Sequence, residues 1–92
     1  MKKIICIRAI VHGKVQGVFY RDSARQQAEA LGITGWVKNN KDGSVELHAC
    51  GEGAKIQLLI DWLHQGPERA RVTKVDWNEI VLEEHEEFII LR

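Results

Sequence analysis

The stretch HGKVQGVFYRDSARQQAEALG, His12 to Gly32, decides how this chain folds. It contains the end of a β-type run, two closely spaced glycines, and a helix-like segment that opens near an arginine. Upstream, IICIRAIV (residues 4–11) is rich in β-branched residues and predicts a strand. Gly13 and Gly17 then break the pattern. Downstream, Ala24, Ala28 and Leu31 recur at i, i+4 and i+7 and predict a helix with a narrow apolar stripe. Small residues in that stripe let the helix lie close to a sheet. Asp22 or Ser23 is the expected N-cap, and Gly32 suits a left-handed exit. A strand that feeds a loop and then a helix start brings free N–H groups and a positive dipole end to one place. Glycine there removes the Cβ that would hold an anion off the backbone, so successive amides can converge on it. Arg21 is placed to close over such a nest, and its planar fork matches two phosphate oxygens. The same residues also fit ordinary turn chemistry with a solvated arginine, and the pattern alone leaves both readings open.

Working outward, ITGWVKN (33–39) and SVELHAC (44–50) read as strands joined through NKDG, with Asp42-Gly43 as the turn signal. In the second of them Val45, Leu47 and Ala49 alternate with Glu46, His48 and Cys50, giving one apolar face and one more polar face. AKIQLLIDWLHQGP (54–67) carries Ile56, Leu59, Ile60 and Leu63 on one helical face. Leu58 and Trp62 are read as extending that face, and Gly66 and Pro67 as ending the helix. A long strand is expected near residues 71–81. EEHEE then reads as a solvated connector, and FIILR as a short last strand. The order β-α-β-β-α-β, plus that strand, predicts an α+β two-layer sandwich. Two helices cover one face of a mostly antiparallel sheet in a split βαβ, ferredoxin-like layout. The first and third strands are then central antiparallel neighbours, and Cys6 and Cys50 lie at the ends that meet. A cross-strand disulfide and a pair of small buried thiols both fit, and a reducing compartment disfavours the bond.

The chain has 92 residues, a length for one domain over 1–92. It is 45% apolar and 28% charged, so a packed core is expected. Lys plus Arg and Asp plus Glu are 13 each, so the basic excess common in nucleic-acid binders is missing. No apolar run approaches the roughly 20 residues that span a bilayer. MKKIICIRAIVHG is interrupted by Arg8 and His12 and reads as a strand rather than a signal peptide, which makes cytoplasm the expected compartment and no membrane partner. The histidines, His12, His48, His64 and His85, show no i, i+4 ligand spacing, and there is no CxxC pair, so no metal and no cofactor are expected. No Gly-x-Ser-x-Gly and no cysteine beside the loop supports a covalent nucleophile.

GKVQGVFYR, from Gly13 to Arg21, closely resembles the acylphosphatase signature, a G-x-V-Q-G-V run with an arginine following. LGITGWVKN (31–39) and DGSVE (42–46) resemble the family's second signature region at the matching separation, and the resemblance spans essentially the whole chain. It implies an enzyme that hydrolyses the carboxyl–phosphate bond of acyl phosphates. By it, the phosphate loop maps onto Gly13, Lys14, Val15, Gln16, Gly17, Val18 and Phe19. Arg21 takes the place of the catalytic arginine, and Asn39 that of the asparagine that holds the attacking water. Tyr20 stands where many members carry phenylalanine. Inorganic phosphate or sulfate is the expected competing anion, and a monomer the expected state. Two other classes share the layout. An RNA-recognition module would need aromatics on the two central strands, IICIRAIV and SVELHAC, and neither contains one. A module of a larger hydrogenase maturation protein is the other, and a stand-alone enzyme is preferred.

Overall fold

The computed structural model describes residues 3–92; the basic start, Met1 and Lys2, lies outside them. The order is β1 (Ile4–Lys14), α1 (Tyr20–Ala30), β2 (Thr34–Asn39), β3 (Val45–Glu52), α2 (Gly53–Gln65), β4 (Arg71–Ile80) and β5 (Phe88–Ile90). The strands form one sheet in the order β4-β1-β3-β2-β5. All pairs are antiparallel except β2 with β5, so the α+β sandwich expected from the sequence is the observed fold.

Both helices pack on one face. Ile7, Ala9 and Val11 of β1, Val45, Leu47 and Ala49 of β3, and Val37 of β2 are fully buried beneath them. The alternation in β3 therefore has the sense read from the sequence. Ala24 and Ala28 of α1 are also fully buried, which brings that helix close to the sheet. On α2 the buried residues are Ile56, Leu59, Ile60 and Leu63. Leu58 does not join them and is half exposed, because i+2 from Ile56 points to the side of the helix away from the sheet. Trp62, one turn beyond Leu58 on the same side of the helix, packs its ring against Tyr20 at 5.4 Å between centroids.

Three boundaries differ from expectation in ways that matter. First, β1 runs on to Lys14, because Gly13 and Lys14 pair with Val72 and Arg71 of β4 after a register shift at His12/Gly13. Gly13 sits at φ +123°, and a Cβ there would overlap the Arg71 carbonyl oxygen, so no other residue fits this approach. Second, α1 begins at Tyr20. Its N-cap is Phe19, in the left-handed region at φ 63° with no side-chain cap, and Asp22 and Ser23 lie inside the first turn. Third, the connector between β4 and β5 is not freely solvated. It crosses the open face of the sheet, where Glu83 meets His48 of β3 and the Glu83 amide donates to Cys6 Sγ at 3.3 Å. Beneath it Cys6 lies opposite Cys50 in the β1–β3 register, with Cα atoms 4.0 Å apart and a disulfide joining them.

Candidate active site

The loop from Val15 to Phe19 is tied to the core at two residues three apart. Val15 and Val18 are buried among the sheet and helix side chains. Gln16 points across to the β2–β3 hairpin, where its Nε2 donates to the carbonyls of Asn40 (2.8 Å) and Ser44 (2.9 Å). Gly17 and Phe19 take positive φ, 74° and 63°. Such reversals turn successive amides toward one side of the chain. Among the described residues, the N–H groups of Gln16, Gly17, Val18 and Phe19 make no hydrogen bond within the protein. The first bond of α1 runs from the Ser23 amide to the Phe19 carbonyl at 3.0 Å. The amides of Tyr20, Arg21 and Asp22 thus join the same unspent set, as helix geometry requires.

Of these residues Gly17, Phe19, Tyr20, Arg21 and Asp22 border a cavity of about 350 Å³, whose lining adds Val15, Asn39, Ile90 and Arg92. Arg21 from the first turn of α1 and Asn39 from the end of β2 therefore meet across one space. Gly13, Lys14, Gln16 and Val18 belong to the same segment but stay outside the lining. Gly13 and Lys14 are held in the β1–β4 pairing, Val18 is in the core, and Gln16 is turned to the hairpin. Of the Gly13–Phe19 span expected from the sequence, Val15, Gly17 and Phe19 line this cavity.

Asn39 faces the helix side of the sheet beside Val37 and is opposite Val45. Its Oδ1 is buried and has no protein partner. A buried carbonyl oxygen without a donor costs stability unless water or a ligand satisfies it. The hairpin that follows is closed on itself. The Asn40 amide donates to the Ser44 carbonyl at 2.8 Å. Asp42 Oδ1 accepts from the Ser44 amide (2.9 Å) and hydroxyl (2.6 Å), and these bonds hold the Asp42 carboxyl below its usual range.

Tyr20 anchors the other wall. It is buried, and its hydroxyl donates to the Leu63 carbonyl at 2.7 Å, one of the last-turn acceptors that α2 leaves open. Burial pushes its pKa well above the ordinary tyrosine value, so it stays a neutral donor. The hydroxyl that departs from the family's phenylalanine is thus a strut between the two helices. Sequence reading did not find Ile90, Arg92 or Asp22 at this cavity. Asp22 had a cap role, and the C-terminal pair reach it only because β5 adds in parallel beside β2.

A model of the acylphosphatase family matches residues 7–90. An acylphosphatase of Coxiella burnetii is 54% identical over 87 residues, covering 95% of this chain and 92% of that protein. One from Acaryochloris marina is 51% identical over 92 residues, covering 100% and 99%. The solved structure of a Coxiella burnetii acylphosphatase superposes with a TM-score of 0.94 at 51% identity, covering 96% of this chain and 93% of that one. With matched signatures and a matched fold over nearly its whole length, the chain belongs to the acylphosphatase family.

Proposed function

We propose that the protein hydrolyses the carboxyl–phosphate bond of small acyl phosphates, giving a carboxylate and inorganic phosphate. The amides of the Val15–Phe19 loop and the guanidinium of Arg21 hold the phosphoryl group, and Asn39 holds the attacking water. The observation that carries this division of roles is the single cavity shared by unspent amides, Arg21 and the unpartnered Asn39 Oδ1.

The chemistry asks for little more. The leaving carboxylate is the conjugate base of an acid with a pKa near 4, so it departs without a general acid. The transition state is loose, with charge spread over the phosphoryl oxygens, so position and charge stabilisation dominate. Charge-assisted hydrogen bonds contribute roughly 1.5–3 kcal/mol each. Three or four that tighten in the transition state give on the order of a thousandfold or more in rate. The Asn39 carbonyl accepts from the water while the water's oxygen faces the phosphorus, and a phosphoryl oxygen takes the proton. Gly17 and Phe19 set the loop amides, and Gln16 fixes the loop against the hairpin that carries Asn39.

The proposed unit is one domain over 1–92, acting as a monomer in the cytoplasm, with phosphate or sulfate as competing anions. No helix among the described residues is long and apolar enough to cross a membrane. A reducing cytoplasm works against the Cys6–Cys50 bond. Acid trapping and alkylation of the protein in cells gives its redox state directly. The main test is ultraviolet-monitored hydrolysis of an aryl acyl phosphate. Arg21→Ala is expected to lose at least about a thousandfold in turnover while the circular dichroism spectrum is retained. Near-native turnover in that variant overturns the assignment. A chelator is expected to leave the rate unchanged.

A further inference from the structure

Among the described residues, one large apolar side chain on the lining of the hydrolytic cavity stands in the open. Phe19 is 72% exposed, borders the cavity with Arg21 and Asn39, and has no place in the packed core. The other apolar members of that lining serve the fold: Val15 and Tyr20 are buried, and Ile90 packs against the core. We infer that the Phe19 ring recognises the acyl group in this site and selects acyl phosphates whose acyl carbon carries an aromatic ring. The inference rests on the hydrolytic role proposed above and names the substrate class.

Conformation and contacts support it first. At φ 63° Phe19 is held in the left-handed region, where its Cβ crowds the backbone and glycine would sit without that cost. A bulky side chain kept in such a conformation points to a use for the side chain. Packing within the fold is not that use. Among the described residues no ring stacks on Phe19 and no cation lies over it. Its place beside the anion seat gives it a partner that the protein itself does not supply.

Reach supports it next. The Phe19 amide is one of the unspent donors beside the cavity. The Phe19 ring begins as many bonds from that nitrogen as an aryl ring on the acyl carbonyl begins from phosphorus. When the amide holds a phosphoryl oxygen, the two rings start from neighbouring points and extend equally far. Offset-stacked or edge-to-face contact, with centroids about 4.5–7 Å apart, is then within reach. An acetyl group ends at its methyl, where the aryl ring would begin, and makes no such contact. The ring contact is the same before and during phosphoryl transfer, so it lowers KM rather than raising kcat.

The test compares benzoyl phosphate with acetyl phosphate in the native protein, Phe19→Leu and Phe19→Tyr. The readout is the ratio of kcat/KM for the two substrates, so a change common to both cancels. Phe19→Leu is expected to lower the benzoyl preference by about fivefold or more, through KM. Phe19→Tyr keeps the ring and is expected to hold the preference within about twofold. Urea unfolding of Phe19→Leu should show the native midpoint, because the ring is mostly in water. A clear fall in that midpoint would make the ring structural and overturn the inference. To read the contact without variants, the native protein is titrated with phenacylphosphonate, the non-hydrolysable methylene analogue of benzoyl phosphate. Nuclear Overhauser effects between its phenyl protons and the Phe19 ring support the contact. Saturation without them, or an unchanged ratio in Phe19→Leu, overturns the inference and leaves the hydrolytic role intact. Failure of the native protein to hydrolyse either substrate overturns that role, and the selectivity with it.

Discussion

The loop Val15–Phe19 and the hairpin Asn40–Ser44 face each other and treat their polar groups in opposite ways. The hairpin spends them. Its turn amides, the Asp42 carboxylate and the Ser44 hydroxyl bond to one another, and Gln16 takes two of its carbonyls. The loop saves them, leaving four consecutive amides without an acceptor in the described protein. Under the proposed function, the difference separates a support from a receptor. A closed network is rigid because every member is satisfied. A row of free donors stores binding capacity for an anion at the expense of stability in its absence. Gln16 joins the two, so one side chain ties the loop with its free amides to the hairpin that follows Asn39.

Substitutions can break or sharpen that contrast. The largest effect is expected on the receptor side. Arg21→Lys retains charge but loses the two-pronged contact, and turnover should fall by about a hundredfold or more. A rate within threefold of native would mean that charge alone suffices. Asn39→Ala should cost about a hundredfold in turnover while inorganic phosphate still inhibits at native concentrations, since the loop is untouched. Loss of phosphate inhibition would merge the two roles. Gln16→Ala uncouples the halves. It removes the second donor of the Asn40 and Ser44 carbonyls, each of which keeps a backbone donor, and urea unfolding should report a loss of about 1 kcal/mol. Turnover should fall several-fold with little change in phosphate inhibition. The smallest effect is expected for Tyr20→Phe, which removes the hydroxyl on the Leu63 carbonyl at roughly 1 kcal/mol and leaves turnover within twofold.

Much of this architecture is legible in the residues. The β-branched run of β1, the alternation of β3 and the stripe of α2 each have one sensible partner, and Asp42-Gly43 marks the hairpin. That Arg21 and Asn39 share one cavity is suggested by the matched signatures rather than by physics, since an asparagine before a turn is ordinary on its own. What the sequence hides is tertiary. Leu58 is apolar and still faces solvent, because its angle on the helix, not its hydropathy, decides. Phe19 caps α1 in a left-handed conformation that a bulky residue seldom adopts. Glu83 and His85 sit in an acidic tract that looks solvated, and only the path of the connector over the sheet brings them to His48. Ile90 and Arg92 reach the cavity through a parallel pairing that no local signal announces.

The strand order has a kinetic consequence. β1 sits between β3 and β4, so Ile4 finds its partner at Glu52 and Cys6 finds one at Ile80. Nearly the whole chain must be looped back before the central ladder exists, and the closure entropy is lost before the contacts repay it. For a chain of this length, refolding should therefore be slow, with the middle of the sheet as the step that limits it. Joining Cys6 to Cys50 beforehand shortens that search, so the oxidised chain should refold faster than the reduced one in stopped-flow measurements.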